Sequence, residues 1–119
     1  MLQEIKLNHS VSVIAYHIVL VTKYRHDTIT EEIKQKIQNI VQSFSYACLE
    51  INGEEDHLHI LLQAPPTVAP AKIVQKIKAV SSLEIKKIMP TWLSWKRGYY
   101  LSTVSDNSVE NVKRYIQNQ

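Results

Sequence analysis

Cysteine is almost missing from this chain of 119 residues. Cys48 stands alone, so no internal disulfide can form, and such usage points to a reducing compartment. Glycine and proline are scarce too, with two and four residues, which argues against long flexible linkers. Long hydrophobic runs are lacking: the longest apolar stretch, Val11 to Val21, contains Ser12 and His17 and is far too short to span a bilayer. The opening Met1-Leu2-Gln3-Glu4-Ile5-Lys6 has none of the basic-then-apolar layout of a secretion signal. The expectation is therefore a cytoplasmic protein with no membrane partner. Internal repeats and low-complexity segments are absent. Charge is only mildly unbalanced, 14 Lys and Arg against 11 Asp and Glu for a net +3, which is compatible with a polyanionic partner and does not demand one.

What is present suits one globular domain over residues 1–119, with 45% hydrophobic and 21% charged residues. Val11 to Thr22 is rich in β-branched residues and apolar on both alternating faces, the pattern of a buried central strand. Lys23 to Asp27 reads as a loop. Thr28 and Glu31 have capping-box spacing ahead of Ile33, Ile37, Ile40, Val41 and Phe44 at helical intervals. Cys48 to Asn52 reads as a short strand and Gly53 to Asp56 as a turn. His57 to Ala64 alternates, with Leu58, Ile60 and Leu62 on one face and His57, His59, Leu61 and Gln63 on the other. A second helix is expected from Pro70 to Met89, a strand from Tyr99 to Val104, and a last helix capped by Ser108 with Val109, Val112 and Ile116 on its packing face. The order β-α-β-β-α-β predicts an α+β, ferredoxin-like or RRM-like antiparallel sheet with helices on one face, plus a C-terminal helix. The opposite face is left for His57 and His59.

Chemistry concentrates in two places. In His57-Leu58-His59, strand residues two apart share a face with Cα atoms roughly 6.5–7 Å apart, close enough for two imidazoles to converge on one cation. On the last helix Tyr115 and Gln119 are four apart and share a face, with Asn111 one turn earlier. A phenol is a weak nucleophile at neutral pH, and a phosphodiester attacked by one needs a cation to stabilise developing charge. Two imidazoles and an amide carbonyl form a mixed nitrogen and oxygen set that suits Mn²⁺ better than Mg²⁺ on ligand preference, while abundance favours Mg²⁺.

Taken with their surroundings, these elements resemble the single-tyrosine HUH transposases of the smallest bacterial insertion sequences and the related REP-hairpin-associated transposases. The matching segments are Tyr16-His17-Ile18-Val19 through Lys23-Tyr24-Arg25, Asp56-His57-Leu58-His59-Ile60-Leu61, Ile77-Lys78 with Ser81-Ser82, Ser102-Thr103-Val104, and Val112-Lys113-Arg114-Tyr115-Ile116-Gln117-Asn118-Gln119. The resemblance implies that His57, His59 and Gln119 hold Mg²⁺ or Mn²⁺ and that Tyr115 attacks the scissile phosphate. The attack leaves a 5′-phosphotyrosine link and a free 3′-hydroxyl. It further implies a homodimer acting on single-stranded DNA at imperfect hairpins, with active sites shared between subunits, and nucleic-acid contacts at Lys23, Arg25, Lys78, Ser81 and Ser82.

Three departures stand beside the match. Lys78-Ala79-Val80 replaces a more basic run, Ser105-Asp106 replaces paired glycines before the last helix, and the implied third ligand, Gln119, is the last residue. A ligand there is expected to fray at the unfavourable end of the helix dipole. The alternative reading is a catalytically decayed or domesticated module that binds hairpin DNA or RNA. His17 is expected to be a hydrogen-bonded core residue, His9 and His26 loop residues, and Cys48 a core residue. Trp92, Trp95, Tyr99 and Tyr100 either stack on unpaired bases or fill a core or dimer interface.

Overall fold

The first two strands, β1 (Ile5–Leu7) and β2 (Ser10–Ser12), pair as a separate antiparallel ribbon, which the sequence reading did not anticipate. The computed structural model describes residues 2, 4–7, 10–12, 14–44 and 46–119. His9, and Val13 within the expected first strand, lie outside these. The main sheet contains β3 (Ile14–Val21), β4 (Ala47–Glu54), β5 (His57–Gln63) and β6 (Tyr100–Ser105), all antiparallel in the order β4-β5-β3-β6. With α1 (Glu31–Ser43) between β3 and β4 and α2 (Pro70–Ile88) between β5 and β6, this is the ferredoxin-like plan. A third helix, α3 (Val109–Gln117), follows β6.

Local chemistry sets the element boundaries. Thr30, rather than Thr28, caps α1: its Oγ1 accepts from the Ile33 N–H at 3.2 Å, and Glu31 and Glu32 occupy the first turn, where the helix dipole favours acids. Pro70 occupies the first turn of α2, where its missing N–H costs nothing, and Lys86 and Lys87 sit in the last turn. Ser108 precedes α3 without a side-chain cap.

Two apolar layers result. On one face Ile18, Leu20, Leu58, Ile60 and Leu62 pack against Ile33, Ile37 and Val41 of α1 and Ile73, Val74, Ile77 and Ile85 of α2. Trp92 and Trp95 complete this core, edge to face at 5.1 Å and almost fully buried, so neither is a base-stacking surface. Cys48 packs against the same core, and burial, reinforced by the charge of Glu50, pushes its thiol up to about 11, which makes it a packing residue and not a nucleophile. On the other face Ala15, Leu61 and Val104 are covered by Val109 and Ile116 of α3. The histidine face is therefore partly roofed by the last helix of the same chain. Burying Val109 and Ile116 contributes on the order of 3–6 kcal/mol before entropy, enough to hold a helix that would be marginal alone. The turn into α3 is closed by a Ser108 N–H to Ser105 carbonyl bond of 3.0 Å. Among the described residues, no helix is long and apolar enough to cross a membrane.

Candidate active site

β5 presents His57 and His59 on the face that α3 partly covers, and their rings meet edge to face with centroids 5.3 Å apart. The ring of Tyr115, on α3, stands edge-on to His59 at 5.7 Å and to His17 at 6.2 Å. Tyr115 is 53% exposed, so its hydroxyl-bearing ring is open to a large ligand. A cleft of about 570 Å³ opens here, lined by His17, Val19, His59, Tyr100, Asn111, Val112 and Tyr115. Tyr115 and the histidines thus meet within one chain. Within the single chain, α3 turns back at Ser105–Ser108 and buries its apolar side on its own sheet.

Each histidine has one ring nitrogen engaged. His57 Nδ1 lies 2.8 Å from Asp56 Oδ1. An ionised carboxylate only accepts, so Nδ1 carries a proton, and Nε2 is the ring nitrogen left for a ligand. Asp56 also accepts from Arg25 Nε at 2.9 Å. The hydrogen bond from His57, aided by that from Arg25, holds its carboxyl below the usual carboxylate range against the opposing effect of burial. His59 Nδ1 lies 3.0 Å from His17 Nε2, and the two buried rings stack with centroids 5.2 Å apart. Burial, then the nearby His17 and His57, push His59 down to about 4, so it is neutral at physiological pH. Burial lowers His17 as well. Two imidazoles, each with Nδ1 engaged by a neighbour, match the pattern of ligating histidines, whose second nitrogen is normally fixed in this way. The donor set fits a divalent cation.

Gln119 is hydrogen-bonded to the end of α3. Its Nε2 donates to the Tyr115 carbonyl at 3.1 Å, leaving the amide oxygen as the potential ligand atom. The side-chain amide of Asn52 reaches the carbonyls of Ile116, Gln117 and Gln119 at 3.1, 3.2 and 3.3 Å. It thereby satisfies the orphan acceptors at the end of α3. Asn52 sits opposite His59 in the β4–β5 register, so one side chain ties the helix end to the histidine strand. This residue was not singled out from the sequence, and neither was Glu54, which sits opposite His57. Glu54, Asp56 and His57 place one ligand atom each within 4.8 Å of one another, close enough to hold a cation between them, and this group shares His57 with the histidine pair. A β-bulge between Cys48 and Glu50 turns both Asn52 and Glu54 to the histidine face. Gly53 lies between them opposite Leu58, where a Cβ would collide with the His57 carbonyl, so only glycine permits this close hairpin.

The residues implied as nucleic-acid contacts separate. Lys23 and Arg25 are exposed in the tight turn that follows β3. Lys78 donates to the carbonyls of Lys96 and Gly98 at 2.9 and 2.6 Å and braces the loop before β6; partial burial lowers its ammonium. Ser81 requires correction: it is fully buried, and its Oγ accepts from Trp95 Nε1 at 2.9 Å. It is a core residue that satisfies an indole, out of reach of any strand of DNA. Ser82 is half-buried on the same helix, which covers the sheet face opposite the histidines.

A family model for IS200-like transposases matches residues 10–119. The chain is 29% identical over 115 residues to the ISDra2 transposase TnpA of Deinococcus radiodurans, covering 87% of this chain and 82% of that one. It is 30% identical over 115 residues to the transposase for insertion sequence element IS200 of Salmonella typhimurium, with 87% and 75% covered. Among solved structures, one assigned as a transposase from Deinococcus radiodurans superposes with a TM-score of 0.76 at 26% identity over 96% of both chains. A REP-associated tyrosine transposase bound to a REP hairpin superposes with a TM-score of 0.64 over 87% of this chain and 63% of that one. Its 11% identity supports the fold alone.

Proposed function

The chain belongs to the IS200-like transposase family, and from that premise we propose that it cuts and rejoins single-stranded DNA at hairpin-marked element ends, with Tyr115 as covalent nucleophile. The observation that carries this reading is the approach of the Tyr115 ring to a centroid distance of 5.7 Å from His59, beside the His57–His59 pair. His57, His59 and Gln119 would hold Mg²⁺ or Mn²⁺. Such a cation supplies charge stabilisation at the scissile phosphate.

The chain's own residues do the rest. Tyr115 Oη attacks phosphorus and its proton passes to solvent. The bond from phosphorus to the 3′-oxygen breaks, and that oxygen leaves as a 3′-hydroxyl after taking up a proton. The 5′-phosphate stays on the tyrosine. Attack by another 3′-hydroxyl on the phosphotyrosine reverses these bonds and joins a new strand, so no external energy source is needed. Asp56, which can only accept, holds the proton of His57 on Nδ1, and His17 engages Nδ1 of His59, so both rings are oriented through Nδ1. Asn52 keeps the end of α3, and with it Gln119, against the histidine strand.

The test is incubation with single-stranded DNA carrying the imperfect hairpin from beside the gene. Mn²⁺ or Mg²⁺ should produce cleavage and a denaturation-resistant adduct, excess chelator should stop both, and the same sequence as duplex should stay intact. Binding without cleavage under every metal condition would favour the decayed hairpin-binding module instead. The protein is proposed to act as a homodimer. With active sites shared between subunits, mixing Tyr115→Phe with His57→Ala chains after dissociation and reassociation should restore cleavage, because one of the heterodimer's two sites is then intact. A heterodimer that forms and stays inactive would mean that each site is built within one chain. Recovery of cleavage would mean that α3 leaves its sheet and docks on the partner's.

A further inference from the structure

Three clefts join into one groove leading away from Tyr115. The cleft beside the nucleophile shares Val19 and Tyr100 with a smaller depression of about 280 Å³. That depression shares Lys96 and Arg97 with a third cleft of about 590 Å³, which lies between Lys23-Tyr24-Arg25 and Ser94–Arg97. The two walls of the third cleft are bound together by backbone, with the Lys23 N–H on the Ser94 carbonyl at 2.9 Å and the Lys96 N–H on the Val21 carbonyl at 2.7 Å.

The groove is chemically uneven. Lys23, Lys96 and Arg97 are exposed, and none has an ion-pair partner among the described residues. At the far end Tyr24 is 73% exposed, the most exposed large apolar side chain among the described residues. Tyr24 and Arg25 both have positive φ, 58° and 52°. Two consecutive left-handed residues that are not glycine cost on the order of 1–3 kcal/mol each. Around them Thr22 Oγ1 donates to the His26 carbonyl at 2.8 Å and Arg25 is fixed to Asp56. A strained turn held in this way aims an aromatic ring outward into a cationic groove. Arg25 also connects the groove to the site, since Asp56 bridges it to His57.

We propose that this groove is a track for unpaired DNA flanking the scissile phosphate, with Lys96 and Arg97 contacting phosphates at its middle and Tyr24 stacking on a base at its end. The proposal rests on the single-strand reading above. A flat ring beside cations accommodates any unpaired base through its π-face, whereas a base inside a duplex has both faces covered by stacked neighbours.

The track is tested by fluorescence anisotropy with a ten-residue oligothymidylate in chelator, where no cleavage occurs. Tyr24→Ala should weaken binding about 10-fold, and Tyr24→Phe should restore it, because stacking needs the ring and not the hydroxyl. Lys96→Ala with Arg97→Ala should reduce the slope of log affinity against log salt by roughly 1.4, for two single-strand phosphates. Thermal melting of each variant checks folding. Unchanged affinity and salt slope in folded variants would overturn the track, as would failure of the wild type to bind the oligonucleotide. The cleavage reading fails separately, by absence of an adduct in wild-type protein with metal.

Discussion

Tyr115→Phe should abolish the covalent protein–DNA adduct and reduce strand cleavage by roughly 10³–10⁶-fold, the scale on which loss of a covalent nucleophile acts. The substitution removes one oxygen and leaves the ring that packs edge-on to His59 and His17. Tyr115 is more than half exposed, and its phenolic oxygen makes no hydrogen bond among the described residues, so folding stability should change by less than about 0.5 kcal/mol. Hairpin affinity should stay near wild type. The readout is a denaturing gel with labelled DNA, on which the slow-migrating adduct disappears. An adduct that survives in Tyr115→Phe would place the nucleophile elsewhere.

His59→Ala should eliminate both Mn²⁺ binding and cleavage, and so should His57→Ala, whereas Glu54→Gln should leave binding within a few-fold. The contrast separates the two cation sets that share His57. His59 belongs only to the histidine pair, and Glu54 only to the acidic turn. The acidic turn is the weaker candidate because Asp56 is already engaged by Arg25 and His57. His17→Leu removes no proposed ligand but frees His59 Nδ1 from its partner. Loss of such an orienting contact lowers metal affinity by roughly 10–100-fold. Mn²⁺ titration followed by electron paramagnetic resonance measures all four variants. Retained binding in His59→Ala with loss in Glu54→Gln would move the cation to the turn.

Strand alternation explains why part of the site could be read in advance. Residues 57 to 63 alternate without interruption, so period two alone put His57 and His59 on one face and Leu58, Ile60 and Leu62 on the other, as they lie in the structure. β4 broke that logic. Its bulge after Cys48 reverses the parity of every later residue in the strand, and no residue type there announces it. Asn52 and Glu54 therefore came to the histidine face unseen. Leu61 and Ala15 carried a readable hint, since apolar residues on a supposedly open face need a cover; that cover proved to be α3. The pairing of Ser81 with Trp95 joins residues on a helix and a distant loop, a tertiary match that spacing does not encode. His17 was read as a hydrogen-bonded core residue, and it is one, but its partner His59 could be identified only once β3 and β5 were in register.

Mass spectrometry of the covalent product tests the role of Tyr115 most directly. Wild-type protein is reacted with single-stranded hairpin DNA and Mn²⁺, denatured, and digested with protease and nuclease. The predicted product is a peptide carrying a nucleotide through its 5′-phosphate on the Tyr115 oxygen, with a free 3′-hydroxyl on the other DNA fragment. Nucleotide mass on a different residue, or cleavage that releases a free 5′-phosphate with no protein-linked intermediate, would contradict it.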